Sequence, residues 1–226
     1  MVDPIPDHDD GGYDRLAAWY PVLEWMMFGR RLADVRRRAC RWWADCVAGE
    51  TLEFPDAGDV VLLGDGRGQC LRRLGRVWPD RHFVAIDRSP AMLIHQTRIA
   101  SGLRLRFNPM PRDARSPPPG VRPPGLIVMP FFSDCFDADQ ALNLMRAWHA
   151  AANRQTRLLH LDFIPPRGWL DRGRAAAMVG LFSVLTDRPR VPVRDDGDVI
   201  AAGGWRLIDR LEVHPMIRAT YWRPGG

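Results

Sequence analysis

Five short apolar runs of β-type residues recur along the chain: 59–63 (DVVLL), 82–86 (HFVAI), 103–107 (LRLRF), 126–132 (LIVMPFF) and 158–163 (LLHLDF). Helical patterns fall between them at 69–78, 90–101 and 139–152. A strand followed by a helix-length crossover returns to the sheet parallel to its predecessor, so this alternation predicts an open, mostly parallel α/β sheet with helices on both faces. The last stretch, GWRLIDRLEVHPMIRATYWRPGG, holds two strand-like runs around His214-Pro215 and predicts an antiparallel hairpin closing the sheet edge.

Helix starts are written locally. Ser89 before Pro90 is an N-cap with proline at the first helical position. Asp137 with Gln140 three residues on has the form of a capping box. The segment RSPPPGVRPPG (115–125) cannot hold regular structure and reads as a loop into the fourth strand. Residues 1–12 read as a flexible acidic tail, and residues 13–48 as helices that would cover the sheet as an N-terminal lid. The core would occupy 56–226, with a proline-bounded helix after the fifth strand, and 13–226 would form one domain.

Composition excludes several classes. The apolar runs at 22–28 and 175–185 fall well short of the roughly 20 residues a membrane span needs. The N-terminus lacks the basic flank and apolar stretch of a signal peptide, so a cytoplasmic protein is expected. Four cysteines, Cys40, Cys46, Cys70 and Cys135, show no CxxC spacing and are expected as reduced thiols. Every basic residue is arginine, which with the alanine and proline content points to a GC-biased, bacterial genome. The net charge of +5 invites a nucleic-acid partner. Yet in RLADVRRRACRWW and the residues after it the apolar positions Leu32, Val35, Ala39, Trp42 and Cys46 follow helical spacing. Its arginines are therefore expected on a solvated face, and no RNA partner is expected.

The loop after the first strand reads GDGRG. In an open α/β sheet this loop lies where ligands bind, and glycines there let backbone N–H groups approach the ligand. A dinucleotide loop would read GxGxxG, but Gln69 stands where that pattern needs glycine, and no GK[ST] follows to make a P-loop. Gly64, Gly66 and Gly68 instead give GxGxG, which resembles the loop of the class I S-adenosylmethionine-dependent methyltransferases, a Rossmann-like fold. VAIDRSPAML ends the second strand on Asp87, nineteen residues after Gly68. PRDAR follows the third strand, and YDRLAAWYPVLEW resembles the helical lid of small-molecule methyltransferases.

The resemblance implies that the cofactor is S-adenosylmethionine. Asp87 would bond the ribose hydroxyls, Asp113 the adenine amino group, and the Ala114 N–H would face the ring. Arg88 and Met129 complete the implied contacts. The family's acid two residues before the first glycine is Leu62 here, and Asp65 is the candidate replacement; a GEGxGR-like loop and FFSDCF (131–136) mark a bacterial subgroup of the family. On the acceptor side, Asp134, His149, His160 and Asp162 are candidates for a base. Asp134 is the best placed, and His160 is expected to be buried and hydrogen-bonded. Tyr13, Tyr20 and Phe132 would line the acceptor pocket. MPFF (129–132) replaces the segment that orients an amino nitrogen, so O- or C-methylation of a small, apolar or aromatic acceptor is expected, without a metal. The alternative from another class is a non-catalytic nucleoside-binding or scaffold protein on the same fold.

Overall fold

The structure is a computed structural model that describes residues 31–49, 58–119, 122–166, 168, 173, 180 and 193–226. The expected tail and the part of the lid before residue 31, with Tyr13 and Tyr20, lie outside the described residues, as does nearly all of the proline-bounded helix after the fifth strand.

Among the described residues, seven strands form one sheet: β1 (Val60–Leu63), β2 (His82–Asp87), β3 (Arg106–Pro111), β4 (Leu126–Pro130), β5 (Arg157–Phe163), β6 (Trp205–His214) and β7 (Ile217–Pro224). Their order is β3-β2-β1-β4-β5-β7-β6. The first five are mutually parallel, while β7 runs antiparallel to both β5 and β6. The C-terminal hairpin is thus where the sequence puts it. The order reverses between β1 and β4, which opens the crevice where ligands bind in such sheets.

The central strands are buried on both faces. Val60 and Leu62 point into one core with α1 (Arg31–Gly49), α2 (Gln69–Val77) and α3 (Pro90–Leu103). Val61 and Leu63 point into the other with α4 (Ala138–Ala150) and the short α5 (Gly197–Ala202). Ser89 accepts from the Met92 N–H as the N-cap of α3, and the Asp137–Gln140 capping box starts α4 with both of its hydrogen bonds made. The four cysteines are free, and the buried Cys40 of α1 and Cys70 of α2 share a hydrogen bond across their packed helices, which with burial pushes the Cys70 thiol up.

Three expectations are corrected. The third strand begins at Arg106 rather than 103, because Leu103 is the last residue of α3 and Leu105 packs over Gly75 of α2. The strand itself is RFNPMP, an edge strand where prolines need donate to no outer neighbour, so it carries no apolar run to read. The fourth strand ends at Pro130, because Phe131 takes a left-handed φ of 52° and turns the chain. Finally, α1 buries Leu32, Val35, Ala39 and Trp43, but not all of its arginines are solvated. Arg36 is 8% exposed, its guanidinium 5.0 Å from the centre of the Phe131 ring.

Candidate cofactor and acceptor site

Each loop glycine has a left-handed φ, 62° at Gly64, 53° at Gly66 and 76° at Gly68, which a side chain would strain. Their surroundings differ. A Cβ at Gly64 would sit 2.3 Å from the Phe132 ring, and one at Gly68 would sit 2.9 Å from Ile99 Cδ1 of α3. Gly64 and Gly68 therefore permit close packing, whereas a Cβ at Gly66 would meet open space. The Gly66 carbonyl is steadied by the Gln96 side-chain N–H at 2.8 Å. Beside the loop lies a cavity of about 350 Å³, bounded also by Arg36, His95 and Phe131.

Asp65 stands on the wall of that cavity, with its carboxylate held by the helix that follows the loop. Its two oxygens accept from the Cys70 N–H at 3.0 Å and the Leu71 N–H at 2.8 Å, the first turn of α2. Gly68, the N-cap residue, has no side chain to do so, and a buried aspartate five residues upstream of Cys70 does it instead. Burial pushes the Asp65 carboxyl up, against these bonds and the charge of Arg36. Leu62 lies fully buried in the core, so no acid stands at the usual place. Asp65→Ala is expected to cost about 1–3 kcal/mol, since two buried amides lose their acceptor. Urea unfolding measures it, and Asp65→Asn should restore only part.

Asp87 ends β2 with one carboxylate oxygen accepting from the Ser89 N–H at 3.0 Å. Arg88 follows it, half-buried, close enough for its charge to act on Asp113. Asp113 accepts from the backbone N–H and the guanidinium of Arg115 at 2.9 and 2.7 Å. Burial alone would raise its pKa, but the Arg115 bonds and the charges of Arg115 and Arg88 bring it below the usual range. Ala114 is buried, and its carbonyl accepts from the Trp148 indole at 2.8 Å. Met129 is fully buried in β4, in one core cluster with Leu63, Ile127 and Met145. The alternation of a strand sends its side chain into the core.

Beyond β4 the chain forms a 3₁₀ turn, Ser133–Cys135, against the end of β5. The Ser133 hydroxyl donates to Asp162 at 2.6 Å and lies 2.7 Å from His160 Nε2. One hydroxyl hydrogen cannot serve both, so His160 Nε2 carries a hydrogen and donates to Ser133. His160 is buried and hydrogen-bonded, as expected. Asp162 also accepts from the N–H groups of Asp134 at 3.2 Å and Phe163 at 2.8 Å. Asp196 is ion-paired with Arg194, which also donates to the carbonyls of Phe136 and Ser133 at 2.6 and 3.1 Å. The ligand-type atoms of His160, Asp162 and Asp196 lie within 4.8 Å of one another, but protein partners already engage them. Their hydrogen bonds latch the turn onto the end of β5.

This latch surrounds Asp134. Burial, then the charges of Asp162 and Asp196, push its carboxyl well above the usual carboxylate range. Phe132 packs on Gly64 and edge-on to Phe136, with ring centres 5.0 Å apart. His149 sits in the last turn of α4, about 15 Å along the helix from this turn, with its ring against Gly204 and Trp205. Asp137 is committed to its cap. Sequence reasoning missed Arg194 and Asp196, which no motif marks, the role of Ser133 within FFSDCF, and Arg36, which helical spacing places with Leu32 and Ala39; Asp196 arrives from 34 residues beyond Asp162.

No protein-family profile matches the chain, and no curated protein matches it. Solved structures do. A pericyclic reaction enzyme superposes with a TM-score of 0.61 at 18% identity, over 80% of this chain and 46% of that one. The mitomycin 7-O-methyltransferase MmcR gives 0.67 at 18% identity, over 93% and 60%. The O-methyltransferase NcsB1 of neocarzinostatin biosynthesis, in complex with S-adenosylmethionine and 2-hydroxy-5-methyl naphthoic acid, gives 0.58 at 16% identity, over 82% and 56%. The chain spans about half the length of these neighbours. At such identities the likeness is one of fold, and the described chain has the Rossmann-like fold of the S-adenosylmethionine-dependent methyltransferases.

Proposed function

We propose that the protein binds S-adenosylmethionine and transfers its methyl group to oxygen or carbon of a small apolar or aromatic acceptor. The observation that carries this reading is the loop at the end of β1: three left-handed glycines, with Gly66 open to a cavity and Asp87 closing the neighbouring strand. A loop that keeps a Cβ-sized opening over its backbone fits a nucleoside ligand passing close to it. When bound, S-adenosylmethionine supplies an electrophilic methyl on a sulfonium that leaves without protonation.

The chain's own groups then have distinct tasks. Asp87, with one oxygen steadied by the Ser89 N–H, would accept from ribose hydroxyls. Arg88, Asp113 and Ala114 would bound the adenine, with Arg115 fixing the Asp113 carboxylate and Trp148 fixing Ala114. Phe132 and Phe136 would exclude water from the methyl's path. Asp134, held beside Asp162, would accept the proton an oxygen acceptor loses. Alignment of nucleophile and methyl supplies the larger part of the rate, on the order of 7–11 kcal/mol.

A second reading, a nucleoside-binding protein without methyl transfer, is favoured by two observations. Leu62 offers no acceptor for an ammonium, and both oxygens of Asp65 serve α2. Calorimetric titration with S-adenosylmethionine and S-adenosylhomocysteine tests the first reading. Asp87→Ala is expected to weaken both by roughly 100-fold, as loss of two charge-assisted hydrogen bonds would. No binding by the native protein would sink the reading. Binding without turnover on any phenolic or enolic acceptor would leave the second.

A further inference from the structure

Gln96 of α3 is 1% exposed, and the two halves of its amide are treated differently. Nε2 donates to the Gly66 carbonyl of the glycine loop at 2.8 Å. A carbonyl can only accept, so the amide nitrogen must face the loop and the oxygen takes the other position. That oxygen, Oε1, is buried and has no hydrogen-bond partner among the described residues. A buried acceptor left unsatisfied costs more than one internal hydrogen bond contributes on balance. Fold stability therefore does not account for a glutamine at this position. A methionine of the same length would fill the space and bury no orphaned acceptor. The loop supplies the reason instead. Its three glycines all hold a left-handed φ, but their support differs. Phe132 backs Gly64, and Ile99 together with Gln96 Cγ backs Gly68. A Cβ at Gly66 would meet nothing within 4 Å, so packing does not restrain this residue. An unpacked glycine is the most permissive point of a backbone, and the hydrogen bond from Gln96 is what restricts it.

We propose that Gln96 is a positioning residue for the cofactor: it fixes the peptide between Gly66 and Arg67 in the orientation the nucleoside ligand meets, at a cost to fold stability. That peptide is planar and trans, so a carbonyl held towards α3 leaves the Arg67 N–H pointing the opposite way. Gly66 and Arg67 both line the cavity, whereas Gln96 stands behind the loop, outside the lining residues. It therefore acts on the ligand only through the backbone it holds. A loop already set in one conformation binds without first losing that freedom, and the gain is in affinity. The role rests on the reading of this cavity as an S-adenosylmethionine site. It has a signature that an ordinary core residue lacks, because removing the amide moves stability and affinity in opposite directions.

Gln96→Met is compared with the native protein and with Thr97→Ala, the next position of α3, whose exposed side chain donates to the Leu93 carbonyl of its own helix. Urea unfolding reads stability, and calorimetric titration with S-adenosylhomocysteine reads affinity. Amide hydrogen exchange on the ligand-free protein reads the loop at Gly68, whose N–H donates to the Asp65 carbonyl at 3.0 Å. Gln96→Met is expected to unfold at or above the native urea midpoint and to exchange the Gly68 amide several-fold faster. It should bind S-adenosylhomocysteine roughly tenfold more weakly, the scale of one lost hydrogen bond. Thr97→Ala should keep exchange and affinity within about twofold of native. Equal loss of affinity in Thr97→Ala overturns the proposal. So does a lowered urea midpoint in Gln96→Met with unchanged Gly68 exchange, since Gln96 would then serve the fold. A native protein that ignores S-adenosylhomocysteine removes the cofactor reading and this role together. A native protein that binds it, with Gln96→Met binding as tightly, removes the role of Gln96 alone.

Discussion

Asp134→Asn is expected to lower kcat by roughly 10²- to 10⁴-fold on an oxygen acceptor, the usual range for loss of a positioned base. The same substitution is expected to stabilise the fold at neutral pH. Burial and the neighbouring Asp162 and Asp196 raise the Asp134 pKa in the folded state above its unfolded value. The folded protein then holds that proton more tightly than the unfolded chain. The stability this confers is full below the unfolded pKa, about 3.9, and is lost as pH rises through the folded one. Asparagine cannot ionise, so the variant should gain on the native protein as pH climbs through that window and match it below about pH 4. Denaturant unfolding across pH reads the stability, and initial rates read the activity. An active variant would remove Asp134 from the chemistry. A variant no more stable at pH 7 than at pH 4, relative to native, would remove the strain.

Trp148→Ala is expected to give the largest loss of stability, about 3–5 kcal/mol for a large side chain deleted from a core. Trp148 is 1% exposed and sits between α4 and the sheet. Its indole N–H is also the partner of the Ala114 carbonyl at 2.8 Å. Losing it leaves that acceptor unsatisfied and releases the loop that follows β3. Affinity for S-adenosylhomocysteine should fall with stability if Asp113 and Ala114 bound the adenine. Trp148→Phe separates the two effects, since it keeps most of the volume and loses only the donor. An alanine variant that unfolds at the native urea midpoint would contradict the packing described.

Local signals in the sequence match the structure where they are self-contained. The caps at Ser89 and Asp137 depend on residues three positions apart, and both are made in the structure. The runs of β1, β2 and β5 are apolar because those strands are covered on both sides, so they are visible as runs. The edge strand β3 buries little and hides behind prolines, and the apolar residues nearest it belong to the end of α3 and the turn after it. Arg36 and Arg37 are adjacent arginines of one helix, but Arg36 shares the buried face with Leu32, Ala39 and Trp43, and the structure brings the Phe131 ring beneath it.

The candidate site divides in the same way. The amino-acid sequence by itself determined the order of strands and helices, the glycine loop, the acid ending β2 and the closing hairpin. Each is set by spacing, backbone freedom or apolar pattern within a few residues. The tertiary structure alone decided what the polar side chains do. It turned Asp65 onto the first turn of α2, buried Met129, pinned Asp113 to Arg115, and brought Ser133, His160, Asp162 and Asp196 together around Asp134. The reason is physical: a polar group's role is fixed by which partners reach it when water is excluded, and those partners come from elements far apart in the chain.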